Sequence, residues 1–213
     1  MTSAPSDSWV AQVYEARNNA ELTRLYDGWA ETYDSDMQGI GYLHPAVIAG
    51  LLGRFVPNPE AAILDAGVGT GMLGGILGLV GYRNLLGIDM SDGMLARAAK
   101  LGVYRDLRNR VLGEPLDFEQ GSIDAVISTG VFTTGHGPAS AWDELVRIVK
   151  PGGFLISTFG TVVWEEQGFR QKFESLIAAN AIAETEITPV YRPMPYSPTE
   201  SHFTTRAHVY RRV

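Results

Sequence analysis

The stretch that decides the fold is Ile63–Gly71, ILDAGVGTG, in which an apolar run ends at an acid and glycines follow at alternate positions. The apolar run predicts a buried strand that ends near Asp65. Alternate glycines directly after a strand indicate a turn whose backbone comes close to a ligand. These glycines are Gly67, Gly69 and Gly71. The stretch therefore predicts a cofactor-binding loop between a first strand and a helix.

Two kinds of cofactor are compatible with these glycines. A literal G-x-G-x-x-G pattern, formed by Gly69, Gly71 and Gly74, is typical of dinucleotide binding. It begins two residues later than that fingerprint requires after a strand. The carboxylate of Asp65 would also repel a pyrophosphate, whereas it suits a ligand that carries a positive charge. An NAD-dependent oxidoreductase therefore stays an alternative interpretation.

A second acid indicates what the ligand contains. Asp89 ends a predicted strand over residues 84–89, and one carboxylate can accept hydrogen bonds from both hydroxyls of a ribose. With Asp65 beside it, the site suits a ribose and a cation. S-adenosylmethionine has a ribose, an ammonium and a sulfonium, so we predict it as the cofactor and S-adenosylhomocysteine as the product. Met90, next in the chain, is expected to pack on the adenine.

From residue 61 onward the chain alternates between strands and helices. The predicted helices are 70–80, 92–100, 138–149 and 166–180, and the predicted strands are 61–66, 84–89, 107–112, 123–128, 153–159, 184–191 and 202–211. Such alternation indicates right-handed crossovers and a parallel sheet with helices on both faces. No helix separates the last two strands, so they are expected to pair as an antiparallel hairpin at the sheet edge. The predicted fold is α/β: a Rossmann-like, doubly wound, seven-stranded sheet.

The N-terminal part has a different pattern. Residues 9–37 have helical periodicity and residues 45–55 form a second predicted helix, after which Pro57 and Pro59 interrupt the chain. We therefore expect residues 1–60 to form a helical cap and residues 61–213 to form the core of one compact domain.

Four motifs, in order, resemble those of class I S-adenosylmethionine-dependent methyltransferases. They are the loop DAGVGTG at 65–71, the acidic motif GIDMS at 87–91, the turn KPGG at 150–153 and the helix YDGWAETYD at 26–34. The resemblance covers roughly residues 22–160. Within the family, LGEPL at 112–116 and the segment 130–136 are most similar to the small-molecule group that includes the Williams–Beuren-region methyltransferase. The resemblance implies transfer of a methyl group to a small molecule.

The resemblance also assigns roles to particular residues. It implies that Asp65 binds the amino-acid end of the cofactor, directly or through water, and that Tyr33 on the covering helix touches the cofactor. Leu112 and Gly113 occupy the place where many relatives carry an acid that binds the adenine amino group. Here backbone groups, or Glu114, are expected to take that role.

The loop after the fourth strand supplies the candidate base. Thr129–His136 follows that strand, whose carboxyl end should open onto the cleft. His136 lies between two glycines, and an imidazole can take a proton from an acceptor near neutral pH. We therefore expect Thr129 to contact the cofactor and His136 to act in catalysis, with an exposed loop histidine as the alternative.

Composition excludes several other classes. The 213 residues carry a net charge of −7, which argues against a nucleic-acid partner, and no cysteine is present. No apolar run is long enough to span a bilayer and the polar N-terminus is unlike a signal peptide, so a cytoplasmic protein is expected. Histidines and carboxylates are not spaced like metal ligands, which predicts a metal-independent enzyme. A protein that holds the cofactor without methylating anything remains an alternative.

Overall fold

The apolar segments form a seven-stranded sheet in this computed structural model, which describes residues 7–213. The first six residues, part of the polar N-terminal stretch, lie outside the described residues. The strands are β1 Ile63–Ala66, β2 Leu85–Asp89, β3 Tyr104–Asn109, β4 Ile123–Phe132, β5 Val149–Gly160, β6 Ile182–Ile187 and β7 Thr205–Arg212. The helices are α1 Asp7–Glu15, α2 Asn19–Trp29, α3 Tyr33–Gly39, α4 His44–Phe55, α5 Met72–Leu79, α6 Asp92–Lys100, α7 Ala141–Ile148, α8 Thr161–Glu166 and α9 Phe169–Ala178.

The order of the strands creates a crevice for ligands. The sheet runs β3-β2-β1-β4-β5-β7-β6, with the first five strands parallel and the pairs β5–β7 and β7–β6 antiparallel. This order confirms the predicted doubly wound fold with a C-terminal antiparallel pair. After β1 the chain adds strands first on one side and then, from β4, on the other. Ligands bind at such a switch point, outside the carboxyl ends of the strands.

Both faces of the sheet are covered, which explains why its central strands are mostly apolar. On β1, Ile63 and Leu64 point to opposite faces and are each fully buried in a different core cluster. Ile63 packs with residues of α4 and α5, and Leu64 packs with residues of α7, including the buried Trp142. The carboxyl end of β1 is therefore held rigidly from both sides.

The N-terminal region contains three short helices where one continuous helical segment was predicted. The side chain of Asn18 caps α2 by accepting from the backbone N–H of Glu21 at 2.9 Å, so a new helix begins there. Helices α1–α3 share their own small apolar cluster around Leu22 and Trp29. Helix α4 instead packs on the sheet. The cap that packs as one cluster is therefore α1–α3.

Other elements also differ from prediction. Strand β4 continues to Phe132, so Thr129 lies in the strand and not in the loop predicted to follow it. Strand β3 lies three residues earlier than predicted, because its hydrogen-bonded register with β2 ends where Asn109 pairs with Asp89. The helix predicted over 166–180 corresponds to α9 and begins only at Phe169, because Gly168 before it has a φ of +78°, in the left-handed region; the short helix α8 comes before it and was not predicted.

Candidate functional site

The glycine loop runs from the end of β1 to the first residue of α5 and is fixed against β2. The backbone N–H groups of Gly67 and Val68 both donate to the carbonyl of Ile88 at 2.9 Å. At Gly67, φ is +80° and an added Cβ would lie 2.2 Å from Cγ2 of Val131, so no larger residue fits. At Gly69 an added Cβ would meet nothing within 4 Å. The loop is thus tightly packed at its start and open at its centre.

Asp89 connects this loop to the end of β2. One carboxylate oxygen accepts from the backbone N–H of Gly69 at 2.8 Å, and the other accepts from that of Ser91 at 3.0 Å. Each oxygen keeps a further lone pair, which is what two neighbouring hydroxyls of a ribose require. Burial raises the pKa of Asp89, although hydrogen bonds from the backbone of Ser91, Gly69 and Met90 oppose the change.

A cavity of about 110 Å³ lies between the glycine loop, the end of β2 and the cap. It is lined on one side by the apolar side chains of Ile88, Met90 and Leu112. Most of the residues predicted to bind the cofactor lie in its lining. They are Tyr33, Gly67, Gly69, Asp89, Met90, Leu112 and Thr129, together with the predicted base His136.

Three predicted residues do not line this cavity, for reasons of packing. Gly71 lies against α6, where an added Cβ would come within 2.7 Å of Leu101. Gly113 lies against Pro138 in the same way, also at 2.7 Å. Asp65 is buried behind the glycine loop, where it accepts from the hydroxyl of Tyr104 at 2.8 Å. The glycines are therefore needed for close packing, and Asp65 makes its hydrogen bond inside the protein.

Asp65 is not fully satisfied by this bond. Its other carboxylate oxygen, Oδ1, is buried and has no hydrogen-bond partner in the part of the chain that the structure describes. Burial raises the pKa of Asp65 to about 7, the hydrogen bond from Tyr104 opposes the change, and the charge of Asp89 adds to it. A buried carboxylate in this state favours either a proton or a nearby positive group.

We expect this raised pKa to make the protein without ligand less stable as the pH rises from about 4 to about 7. In that window folded Asp65 keeps a proton that the unfolded chain has released, so folding binds protons and the free energy of unfolding falls. Relative to Asp65→Asn, which does not titrate, the wild-type protein should lose on the order of 4 kcal/mol across the window. Urea unfolding at several pH values measures this, and parallel curves for the two proteins would contradict it.

A second cavity, of about 620 Å³, lies beneath the cap and next to the first. The cap helices, the loop after β4, the end of β5 and residues 193–205 surround it. Four residues line both cavities: Tyr26, Tyr33, Gly130 and His136. We call the smaller cavity the cofactor cavity, the larger one the acceptor chamber, and the place where these four residues lie the junction.

His136 is held at the junction by both of its ring nitrogens. Nδ1 lies 2.8 Å from the carbonyl oxygen of Thr134, which can only accept, so Nδ1 carries the proton. Nε2 is then an acceptor, and the hydroxyl of Tyr26 donates to it at 2.8 Å. Burial lowers the pKa of His136 and raises that of Tyr26, so both groups are neutral at pH 7. The Tyr26 oxygen is therefore the polar atom that this pair can offer to a ligand.

In the two Tyr-Asp pairs of the cap, the tyrosines and the aspartates make different contacts, which the sequence alone did not indicate. Tyr26 and Tyr33 line both cavities, whereas the aspartates that follow them tie the cap to the core. Asp27 accepts from the Ser91 hydroxyl at 2.6 Å, and Asp34 accepts from the hydroxyl of Thr70 in the glycine loop. The repeated Tyr-Asp pair was the signal that could have identified Tyr26 as a site residue.

Among residues 7–213, no group of three or more histidine, aspartate or glutamate side chains could hold a metal ion. No helix in the same range is long and apolar enough to cross a membrane.

Comparisons with known proteins agree with this geometry. A family model described as a methyltransferase domain matches residues 64–157. Methyltransferase-like protein 27 of Homo sapiens is 37% identical over 145 residues, which cover 67% of this chain and 59% of that protein. An uncharacterized methyltransferase of Bacillus thuringiensis is 36% identical over 153 residues, covering 69% of this chain and 70% of that protein. The chain thus spans less than two thirds of the human relative.

The fold is also similar to that of solved structures. The crystal structure of the [4+2]-cyclase SpnF superimposes with a TM-score of 0.73 at 17% identity, covering 92% of this chain and 97% of that one. At this identity the likeness concerns the fold alone. The sequence relatives, the matching domain model and the fold agree: the chain belongs to the class I S-adenosylmethionine-dependent methyltransferase family.

Proposed function

We propose that this protein transfers a methyl group from S-adenosylmethionine to a small-molecule acceptor. The observation that carries the proposal is the pair of adjoining cavities, one lined by the glycine loop and Asp89 and the other by the aromatic residues of the cap. When bound, the cofactor supplies a methyl carbon on a sulfonium, which leaves as a neutral thioether. Such chemistry needs alignment and exclusion of water more than a nucleophile on the protein.

The described residues fit the proposed cofactor. Asp89 would hold the ribose, and Ile88, Met90 and Leu112 offer an apolar wall for the adenine. The open space at Gly69 allows close approach of the ligand to the backbone. The unsatisfied oxygen of Asp65 supports a role toward the positively charged amino-acid end, acting from behind the loop. A pyrophosphate would gain nothing from these two carboxylates, which argues against NAD.

The chain's own part in the chemistry is to position the acceptor and to take its proton. An acceptor O–H or N–H would donate to the Tyr26 oxygen at the junction. As that proton arrives, the phenolic proton of Tyr26 passes to Nε2 of His136, and Nδ1–H stays on the carbonyl of Thr134. His136 is thus proposed to act as the base through Tyr26. The cap, held by Asp27 and Asp34, would keep water from the junction.

Methyl transfer of this kind requires no Lewis acid, so we propose that the enzyme works without a metal ion. A net charge of −7 and the enclosed chamber support a small molecule as the acceptor rather than a nucleic acid. The absence of cysteine from the sequence is compatible with a reducing compartment, and we propose the cytoplasm.

Formation of S-adenosylhomocysteine tests the proposed reaction. Purified protein is incubated with S-adenosylmethionine and a panel of amines, phenols and carboxylic acids, and the product is quantified by mass spectrometry. We expect product above the acceptor-free background with at least one member of the panel, and none with Asp89→Ala. A protein described as a [4+2]-cyclase has a similar fold, so the fold alone does not establish methyl transfer. Tight cofactor binding without product across the panel would favour a protein that holds the cofactor without methylating.

A further inference from the structure

The walls of the acceptor chamber are unusually rich in aromatic rings. Tyr14, Tyr26, Trp29, Tyr33, Tyr42 and Phe203 all line it. They form a connected set: the ring of Tyr14 stands edge-on to that of Phe203 at 5.8 Å and to that of His136 at 5.8 Å. The faces of aromatic rings carry negative electrostatic potential and attract organic cations.

The charged side chains that the structure describes in the chamber lining have one sign. Among the described lining residues the only formally charged side chains are Glu15 and Glu200, and no lysine or arginine is present. The histidines nearest the junction do not supply positive charge, because burial lowers the pKa of His44 to about 3 and also lowers that of His136. The described chamber therefore offers no countercharge to an anionic acceptor.

Glu200 is the acid placed to act on a ligand. It is 9% exposed, and its backbone N–H donates to the hydroxyl of Ser197 at 2.9 Å, which fixes its position. Glu200 is close enough to Tyr14 to affect its ionisation. The pKa of Tyr14 is raised to about 12, mainly by burial and secondly by the negative charge of Glu200. Tyr14 touches His136, so the carboxylate acts on the same side of the chamber as the junction.

His44 is a second polar group in the lining of the chamber. His44 is 5% exposed and lines the chamber, and its Nδ1 lies 2.7 Å from the hydroxyl of Tyr191. Its Nε2 has no hydrogen-bond partner among residues 7–213. A neutral imidazole nitrogen donates in one tautomer and accepts in the other, so Nε2 can bind a polar group of a ligand without adding charge.

From these walls we infer that the acceptor is an aromatic or apolar amine, bound as a cation against the tyrosine faces and Glu200. The inference rests on the proposed function, since it names the class of molecule that the acceptor chamber takes. Carboxylic acids of the same size are excluded, because they would bring a negative charge next to Glu200 with no cationic side chain in the described lining to meet it.

Matched probes that differ only in charge test the inference. The full chain is saturated with S-adenosylhomocysteine and titrated calorimetrically at pH 7 with tyramine, tyrosol and 4-hydroxyphenylacetate, then with tryptamine and indole-3-acetate. We expect the better of the two amines to bind at least about tenfold more tightly than tyrosol, and no binding of either acid. The inference would be overturned if tyrosol bound as tightly as the better amine, if either acid bound, or if neither amine bound.

Two glutamine variants complete the test. Glu200→Gln keeps the shape of the side chain and is expected to remove most of the preference for the amine. Glu15→Gln, at an exposed acid of the same lining, is expected to leave it. An unchanged preference in Glu200→Gln would overturn the inference. The affinity for S-adenosylhomocysteine is measured on the same samples: if it is retained while the charge preference is missing, only this inference fails, whereas its absence in the wild-type protein would refute the proposed function.

Discussion

Replacing Asp89 with alanine is expected to weaken the binding of S-adenosylhomocysteine by about 100-fold or more. Asp89, at the end of β2, is the one acid among the described residues of the cavity lining, and backbone N–H groups already orient both of its oxygens. The substitution would remove two charge-assisted hydrogen bonds to the ribose. It would also free the N–H of Gly69, so the centre of the glycine loop would lose its anchor. Calorimetric titration measures the change.

Two further variants separate this effect from a general loss of structure. Asp89→Asn keeps one acceptor oxygen and should lose only about tenfold in affinity. Asp92→Ala removes an exposed acid three residues away, at the start of α6, and should bind as the wild type does. Thermal unfolding checks that all three variants are folded. A folded Asp89→Ala protein with wild-type affinity would show that the ribose does not bind here.

The second large effect is expected at the junction. Tyr26→Phe and His136→Asn should each lower kcat by about 100-fold, a typical contribution of general base catalysis. The Tyr26–His136 hydrogen bond makes the two groups one unit, so the double variant should be little slower than either single variant. The acceptor used is the best one from the panel. Cofactor affinity should change far less than kcat, since Asp89 and the glycine loop are untouched.

The control is His202→Ala, which removes an exposed histidine from the chamber lining that makes no hydrogen bond to Tyr26. It should keep its kcat. A flattened pH dependence of kcat in Tyr26→Phe would support proton transfer through the tyrosine, because a purely structural change would leave the profile's shape intact. Multiplicative effects in the double variant, or full activity in either single one, would remove the pair from the mechanism.

The parts of the fold that could be predicted are those with strong local signals. Helix α6 begins and ends where predicted, because the Ser91 side chain caps it at the backbone N–H of Met94 and one face is apolar. The glycine loop and the switch point followed from an apolar strand, an acid and alternate glycines. For the same reason the sequence predicts cofactor contacts for Asp89, the last residue of a strand, and for Met90, which follows it.

What could not be predicted depends on contacts between distant segments. Tyr104 binds Asp65 from a strand 39 residues later, and no local pattern indicates that Asp65 would be turned inward. Tyr26 and His136 are 110 residues apart, so the sequence identified the histidine without the tyrosine that covers its Nε2. The acceptor chamber also depends on contacts between distant segments, since its walls come from the cap, from the loop after β4 and from residues 193–205.

The measurement that tests the central claim most directly is a parallel calorimetric titration with S-adenosylmethionine, S-adenosylhomocysteine and NAD. The cofactor cavity, which is lined by Asp89 and has the buried Asp65 behind its glycine loop, predicts binding of the two adenosyl compounds and none of NAD. Binding of NAD alone would contradict the account: the glycines from Gly69 to Gly74 would then serve a pyrophosphate, and the assignment of Asp89 to the ribose of S-adenosylmethionine would be wrong.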